Sequence, residues 1–226
     1  MEATHSHNDC CLNMGEMISG DSVRGGIASP GSVRRASIRN RDTMREDALE
    51  QIQSTAAEAP FLLPELDLNA PLDRFRADVR PDWTDLNGHM NVGFYVVAFD
   101  HATGTLCDQL GLGWDYTRTK IGTTFILEAH VTYDREVGEG DPLRVTTQII
   151  DYDAKRLHFI HMMYHATEGF LAATNELMMM NIDLRTRKSA PWPEWAVRPL
   201  ERMAEAHAAL PRPRQVGRII GIPRRA

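Results

Sequence analysis

A run of ten residues near the middle of the chain concentrates side chains suited to acid–base chemistry. It reads Asp82-Trp83-Thr84-Asp85-Leu86-Asn87-Gly88-His89-Met90-Asn91. The carboxylate at 85, the amide at 87 and the imidazole at 89 would supply a base or nucleophile, an orienting group and a hydrogen-bond donor. Taken singly, Asp and Asn are common in turns and helix caps, so the hypothesis depends on the spacing.

The same run precedes the strongest helical pattern in the sequence. Apolar residues recur at 92, 95, 96, 99, 102, 106 and 110, which predicts a helix over 92–110, ended by Gly111. Since a helix N-terminus favours developing negative charge, an ester or thioester carbonyl placed there would be polarised.

The segments around this helix are predicted to be strands. A short strand is expected over 75–79, and segments rich in Thr, Val, Ile and Phe predict four more, over 123–136, 143–152, 157–166 and 171–184. A closing amphipathic helix is expected over 192–210. One sheet and one long helix bury a core only if the sheet wraps the helix, so we expect an α+β fold with an antiparallel sheet around a central helix.

Charge and composition divide the chain near residue 70. Residues 1–70 carry 6 Arg and no Lys against 11 acidic residues, and are predicted to form a flexible N-terminal extension with a short helix near 43–59. Residues 71–190 are predicted to be the main domain, and 191–226 a helix and tail that pack on it.

Composition also excludes several classes of protein. The 226 residues are 42% hydrophobic with a net charge of −6, and no apolar run approaches the roughly 18–20 residues of a membrane span. Net acidity argues against a nucleic-acid partner. Three cysteines, two of them adjacent, give neither a disulfide framework nor a zinc spacing, so we expect a cytoplasmic protein without metal or cofactor. Strand alternation places His158 on the opposite face from His161 and His165, which argues against a histidine metal site.

The motif Asp85-x-Asn87-Gly88-His89-Met90-Asn91-x-x-x-Tyr95, followed by a long helix and antiparallel strands, resembles the hotdog-fold thioesterases of the 4-hydroxybenzoyl-CoA thioesterase-like branch. The triplet is also similar to that of plant acyl-carrier-protein thioesterases. The resemblance covers residues 73–185 and departs at Val92-Gly93, where many members have a second Asn and a small residue. Residues 83–91, 140–148, 153–158 and 210–218 are similar to betainyl-CoA thioesterases of carnitine breakdown.

The resemblance implies an acyl-CoA thioesterase for a short acyl group, with betainyl-CoA as the expected substrate. Asp85 would attack the thioester carbon or activate a water, and Asn87 and His89 would position the water or the thioester. The family also implies a homodimer or homotetramer with the site at the subunit interface.

A second carboxylate is a further catalytic candidate. Glu128 lies among apolar residues on the first strand predicted after the helix, and an acid on a central strand is costly unless it is paired or functional. Plant members of the fold use a carboxylate in a comparable region. A structural ion pair with an Arg is the alternative, and His130 shares the face of Glu128 if the strand is regular.

Candidates for substrate binding fall into two groups. Arg135, Lys155 and Arg156 could meet the CoA phosphates, although a solvated turn is the alternative for the last two. A betainyl group carries a quaternary ammonium, which aromatic faces bind. We therefore expect the acyl group near aromatic and polar residues of the motif: Trp83, Asn91 and Tyr95.

Other functions remain open at this stage. The chain could hydrolyse a different short or aromatic acyl-CoA, or bind acyl-CoA without turnover, and a dehydratase of the same fold is a weaker alternative. The intact Asp85, Asn87 and His89 set favours a catalyst, because a pure binding module does not need a carboxylate beside a thioester.

Overall fold

A computed structural model describes residues 58–222. The N-terminal extension before residue 58, with almost all of the helix predicted near 43–59, lies outside the described residues. The elements within them are β1 (Leu72–Asp78), a 3₁₀ turn (Pro81–Trp83), α1 (Val92–Gln109), α2 (Trp114–Arg118), β2 (Gly122–Tyr133), β3 (Pro142–Tyr152), β4 (Arg156–His165), β5 (Leu171–Asp183), β6 (Lys188–Ser189) and α3 (Glu194–Ala208).

The strands of residues 58–222 form one antiparallel sheet. Its order is β1-β3-β4-β5-β2, and the two-residue β6 adds to β5. Consecutive strands β3, β4 and β5 are neighbours, whereas β2 crosses over to pair with β5. This topology makes β1 and β2 the edge strands, and the predicted antiparallel α+β architecture is confirmed.

Helix α1 packs against the inner face of the sheet, in contact with β1, β3 and β5. Ala98, Phe99 and Leu106 on the helix are fully buried, as are Phe159 and Met163 on β4. Burial of each large apolar side chain contributes roughly 1.5–3 kcal/mol, so this interface supplies much of the stability of the domain. The central helix expected from the periodicity therefore lies where the wrapped sheet requires it.

Helix α3 covers the part of β3 that β1 leaves unpaired. The pairing of β1 with β3 ends at Leu72 and Thr147. Beyond that point the Ile149 N–H donates to His207 Nδ1 of α3 at 2.9 Å. Burial lowers the pKa of His207, and its second ring nitrogen lies 3.3 Å from the Asn69 carbonyl. The neutral imidazole thus joins α3, β3 and the chain before β1.

Residues 58–70, the end of the predicted extension, also contact this domain. Phe61 and Leu66 pack against the core, and the Asp67 N–H donates to Gln109 Oε1 at 2.8 Å. The domain boundary at residue 70 stays a prediction. None of the helices within residues 58–222 is long and apolar enough to span a membrane.

Candidate active site

The loop that carries the motif, residues 79–91, folds into a tight hairpin before α1. Thr84 bridges Met90, and the Asp85 N–H donates to the His89 carbonyl at 2.9 Å. The Gly88 N–H donates to the Asp85 carbonyl at 3.0 Å. Gly88 has a φ of 78°, in the left-handed region that glycine adopts without a steric penalty.

This hairpin brings the predicted triplet together. The two backbone hydrogen bonds place Asp85 opposite both Gly88 and His89, so the residues that carry the carboxylate and the imidazole are neighbours across the hairpin. The Asn87 N–H donates to Asp85 Oδ1 at 2.8 Å. Asp85 and Asn87 are exposed, and His89 is partly exposed. The loop therefore presents a carboxylate, an amide and an imidazole to solvent within one turn of chain.

The connection between β2 and β3 holds the loop in place. The Met90 N–H donates to the Val137 carbonyl at 2.8 Å, and His89 bridges Gly138. A Cβ on Gly138 would lie 3.3 Å from the Gly88 carbonyl oxygen, so the bare glycine permits this close approach. His89 Nδ1 lies 3.5 Å from Glu136 Oε2. Glu136 and Gly138 were not predicted to support the motif loop, because contacts between residues 47 to 50 positions apart leave no local pattern.

The loop joins the N-terminus of α1 directly. Asn91, predicted to bind substrate, is the N-cap: its Oδ1 accepts from the Gly93 N–H at 3.0 Å, and its own N–H donates to the Trp83 carbonyl. The remaining first-turn N–H groups and the helix dipole favour negative charge beside the hairpin. A thioester carbonyl near Asp85 would lie in this field.

The two aromatic residues predicted near the acyl group, one in the loop and one in the first turn of α1, are buried. Trp83 stacks on Phe94 with ring centroids 5.8 Å apart, and Tyr95 meets Tyr133 edge-on at 5.2 Å. Burial raises the pKa of the Tyr95 phenol. Within the chain these buried rings support the loop and offer little open surface to a ligand.

Glu128 does not lie near Asp85 within the chain. The premise that it lies on a central strand is wrong, because β2 is an edge strand and Glu128 is exposed. Glu128 and His130 pair with Met178 and Glu176 of β5, which places both on the outer face of the sheet, opposite α1. They share a face as predicted, but it is not the face that α1 covers.

The predicted phosphate contacts are also dispersed. The Arg135 guanidinium lies over the Phe170 ring at 3.8 Å. Lys155 Nζ donates to Ser189 Oγ at 3.2 Å, and Arg156 pairs with Asp153 in the β3–β4 turn. The 11 residues of β3 at about 3.3 Å each separate this turn from the motif loop by roughly 33 Å.

The three histidines of β4 serve separate partners. His161 is fully buried on the inner face between Thr103 Oγ1, at 2.9 Å, and Thr147 Oγ1, at 2.8 Å. Burial lowers its pKa to about 3, so the ring is neutral. His165 lies 3.5 Å from Asp141 Oδ1, and His158 points to the outer face, 2.8 Å from Glu176 Oε1. The predicted split between the two faces is confirmed.

The described residues form a cleft of about 480 Å³ at the other end of α1. Phe61, Trp114, Asp115 and Arg118 contribute to its walls, whereas the motif loop at the N-terminal end stands open. The groups suited to chemistry and the cleft are thus at opposite ends of the helix.

Comparison with known proteins places this geometry in a family. The Thioesterase-like superfamily matches residues 79–200. A betainyl-CoA thioesterase from Pseudomonas aeruginosa is 38% identical over 152 residues, which cover 67% of this chain and 96% of that protein. An L-carnitine dehydrogenase/betainyl-CoA thioesterase from Ruegeria pomeroyi is 37% identical over 74% of this chain, which spans 34% of that protein.

Solved structures agree with this assignment. A hypothetical protein from Staphylococcus aureus, solved in complex with CoA, is 33% identical with a TM-score of 0.63, over 69% of this chain and 99% of that one. The antiparallel sheet around α1, the family match and the thioesterase relatives identify the chain as a thioester hydrolase of the hotdog fold. The chain belongs to the Thioesterase-like superfamily, and the resemblance seen in the motif is confirmed.

Proposed function

We propose that this chain hydrolyses betainyl-CoA to betaine and CoA. The observation that carries the proposal is the 38% identity to the Pseudomonas aeruginosa betainyl-CoA thioesterase, which extends over 96% of that protein. The hairpin supports it, because an exposed carboxylate, an amide and an imidazole lie beside the N-terminus of α1, where charge developing on a thioester carbonyl is stabilised.

In the proposed reaction, the thioester carbonyl oxygen lies toward the first turn of α1. Asp85 either attacks the carbonyl carbon or takes a proton from a water that attacks it. Collapse of the tetrahedral adduct breaks the C–S bond and expels the CoA thiolate, which takes the proton held by Asp85 in the general-base route and a proton from water in the nucleophilic route. In the nucleophilic route, water then cleaves the anhydride formed with Asp85. Asn87 and His89 hold the water or the thioester, and Glu136 orients the His89 ring.

We further propose that the site is completed by a second copy of the chain. Strand β2 is an edge strand, and unpaired strand edges are templates for pairing. Exposed apolar side chains lie along β2 and on the open side of α1: Val92, Val96, Val97, Leu127 and Tyr133. The Tyr133 hydroxyl donates to the Val92 carbonyl at 3.3 Å, which links the two parts of this surface. Antiparallel pairing of β2 with its copy would cover it in a homodimer, which could pair again as a homotetramer.

This assembly would bring the predicted phosphate-binding residues close to the motif loop. Antiparallel pairing reverses the partner sheet, so the partner's Lys155 and Arg156 would lie at the same end of the assembly as Asp85. The two cations would then be available to the CoA phosphates. Glu128 would lie close to the two-fold axis, on the outer face. We propose a cytoplasmic location for the enzyme, where CoA esters are its substrates.

The test is the release of CoA thiol from a panel of esters, with Asp85→Asn beside the wild type. Betainyl-CoA is compared with 3,3-dimethylbutyryl-CoA, which has the same shape without the positive charge, and with acetyl-, benzoyl- and palmitoyl-CoA. We expect turnover of betainyl-CoA that Asp85→Asn abolishes. Equal turnover of the neutral isostere would refute selectivity for the cation, and binding of esters without turnover would refute catalysis.

A further inference from the structure

A row of four side chains crosses the outer face of the sheet. Gln148 of β3, Ile160 of β4, Glu176 of β5 and His130 of β2 are register partners on successive strands. Ile160 is fully buried although it points away from α1. Some other part of the chain therefore covers this row.

The C-terminal tail, residues 209–222, is what covers it. The Gln148 side-chain amide donates to the Pro211 carbonyl at 3.4 Å, and the Gly217 N–H donates to Glu176 Oε2 at 2.8 Å. Between these two contacts Gln215 is buried. The other oxygen of Glu176 lies 2.8 Å from His158 Nε2, so the tail is attached to a carboxylate that the sheet itself holds.

These contacts give the tail a direction. It runs across the strands from β3 over β4 to β5, and β2 is the next strand and the last one. Strands lie about 4.8 Å apart and an extended chain advances about 3.3 Å per residue. If the tail keeps its course, Ile219 passes β2 and Ile222 reaches roughly 17 Å beyond Gly217, past the edge of the sheet.

The end of the tail is strongly apolar and uncovered within the protomer. Ile219, Ile220 and Ile222 are 91%, 89% and 85% exposed. Three nearly adjacent isoleucines exposed to solvent are unfavourable, because burial of apolar surface stabilises a folded protein. They are therefore suited to an apolar surface that lies beyond β2.

A second copy of the chain would provide that surface. Residues 127–129 are the consecutive exposed stretch of β2. Antiparallel pairing of β2 with its copy near Glu128 would bring the partner's Phe125, which lies on the outer face, close to His130. Phe125, Met178 and Met180 are partly exposed and share the outer face, and Phe125 and Met180 are register partners. We call these three residues the outer apolar patch.

We propose that the tail of each protomer crosses the dimer interface and packs Ile219, Ile220 and Ile222 on the partner's outer apolar patch. This inference rests on the dimer put forward with the proposed function. Two such tails, related by the two-fold axis, would clasp the dimer from the side of the sheet opposite α1.

Disulfide trapping between two different chains tests this placement. One chain carries Ile220→Cys and the other, with a tag that changes its mass, carries Met178→Cys; both carry Cys10→Ser and Cys11→Ser. We expect a mixed-mass disulfide band under mild oxidation. Leu62→Cys, as exposed as Ile220 but near the cleft at the end of α1, replaces it in the control and gives no such band. A disulfide that forms only when both substitutions are in one chain would overturn the proposal.

Sedimentation of tail variants gives the energetic test. Replacing the three isoleucines by Ser should raise the dimer dissociation constant by at least about 10-fold, with the thermal midpoint of the isolated protomer unchanged. Leu62→Ser should leave the constant unchanged. An unchanged constant for the triple variant would overturn the clasp while the wild type still dimerises and cleaves its ester. A monomeric wild type would overturn the dimer, and the clasp with it, without bearing on the substrate.

Discussion

One polar cluster lies in the hairpin before α1 and a second lies between α1 and the sheet, and the two clusters differ in exposure and in hydrogen bonding. The motif hairpin holds Asp85, Asn87 and His89 at the surface, with hydrogen bonds that use mainly backbone groups. The inner-face cluster holds His161 between two threonine hydroxyls, with both ring nitrogens satisfied and no exposed surface.

The difference shows which histidine is available for chemistry. His161 stacks on Phe99 at 5.9 Å and stays neutral. Both of its ring nitrogens are used in hydrogen bonds that join α1 and β3 to β4. His89 is partly exposed and has a carboxylate, Glu136, 3.5 Å away. We expect substitutions in the hairpin to change activity and substitutions in the inner-face cluster to change stability.

The largest effect should come from Asp85→Asn, which keeps the shape of the side chain and removes its charge. We expect kcat for the cleaved ester to fall by about 10³-fold, because both proposed routes need the carboxylate, with an unchanged thermal midpoint. The matched control is Asp82→Asn, an exposed carboxylate in the same loop that pairs with Arg80. Thiol-release assays of both variants measure the effect. A fall in kcat of less than 10-fold for Asp85→Asn would contradict a catalytic role for this carboxylate.

The second prediction compares the same substitution at two histidines, the buried His161 and the partly exposed His89. His161→Ala should lower the free energy of unfolding by about 3 kcal/mol, since it leaves a cavity and two buried hydroxyls without their partner. His89→Ala should lower kcat by about 10²-fold and stability by less than about 0.5 kcal/mol. Urea denaturation and kinetics of both variants provide the test. A large loss of activity in His161→Ala together with a large loss of stability in His89→Ala would contradict the prediction.

The third prediction concerns pH. The pKa of His161 is about 3 in the fold and about 6.5 in an unfolded chain, so the unfolded state binds more protons between these values. Its contribution to stability is therefore complete above about pH 6.5 and is lost as the pH falls, by at most about 1.4 kcal/mol per unit. Urea titrations from pH 7 to 4.5 should show that the free energy of unfolding falls less steeply with decreasing pH for His161→Gln than for the wild type. Leu62→Ser, which removes no titratable group, should keep the wild-type slope.

The smallest effect should be that of Lys155→Ala, at the turn that the dimer would bring to the site. We expect KM for CoA esters to rise by about 3-fold to 10-fold with kcat unchanged, because a flexible surface cation adds modest binding to a phosphate. Arg202→Ala, an exposed cation on α3, is the control. Equal kinetics for Lys155→Ala and the wild type would remove this turn from the CoA site.

Most of the long helices and strands could be predicted from local sequence patterns. The helix predicted over 92–110 is α1, Val92–Gln109, and the three strands predicted last begin within one residue of β3, β4 and β5. Periodicity fixes such elements because each residue's face depends only on its near neighbours. The motif triplet was found for the same reason, since Asp85, Asn87 and His89 lie within five residues.

What sequence could not give is the order of strands and the contacts between distant segments. The position of β2 at the edge of the sheet depends on a crossover to β5, so the premise behind Glu128 was wrong. Glu136 and Gly138 support the loop through contacts that no local pattern records. Short elements such as α2 and β6 were missed, because five residues or two give no period.

The hairpin at 84–90 also limits how the site can evolve or be redesigned. Asp85 and His89 lie on the two facing arms of the hairpin, so the register of its backbone hydrogen bonds sets how the carboxylate and the imidazole are placed relative to each other. Inserting one residue at Asn87 would shift that register and turn one of the two side chains away. Leu86, which is fully exposed at the tip of the hairpin, can be replaced by other residues. The number of residues between the acid and the imidazole cannot change in the same way. Selection on this loop should therefore conserve length more strictly than composition.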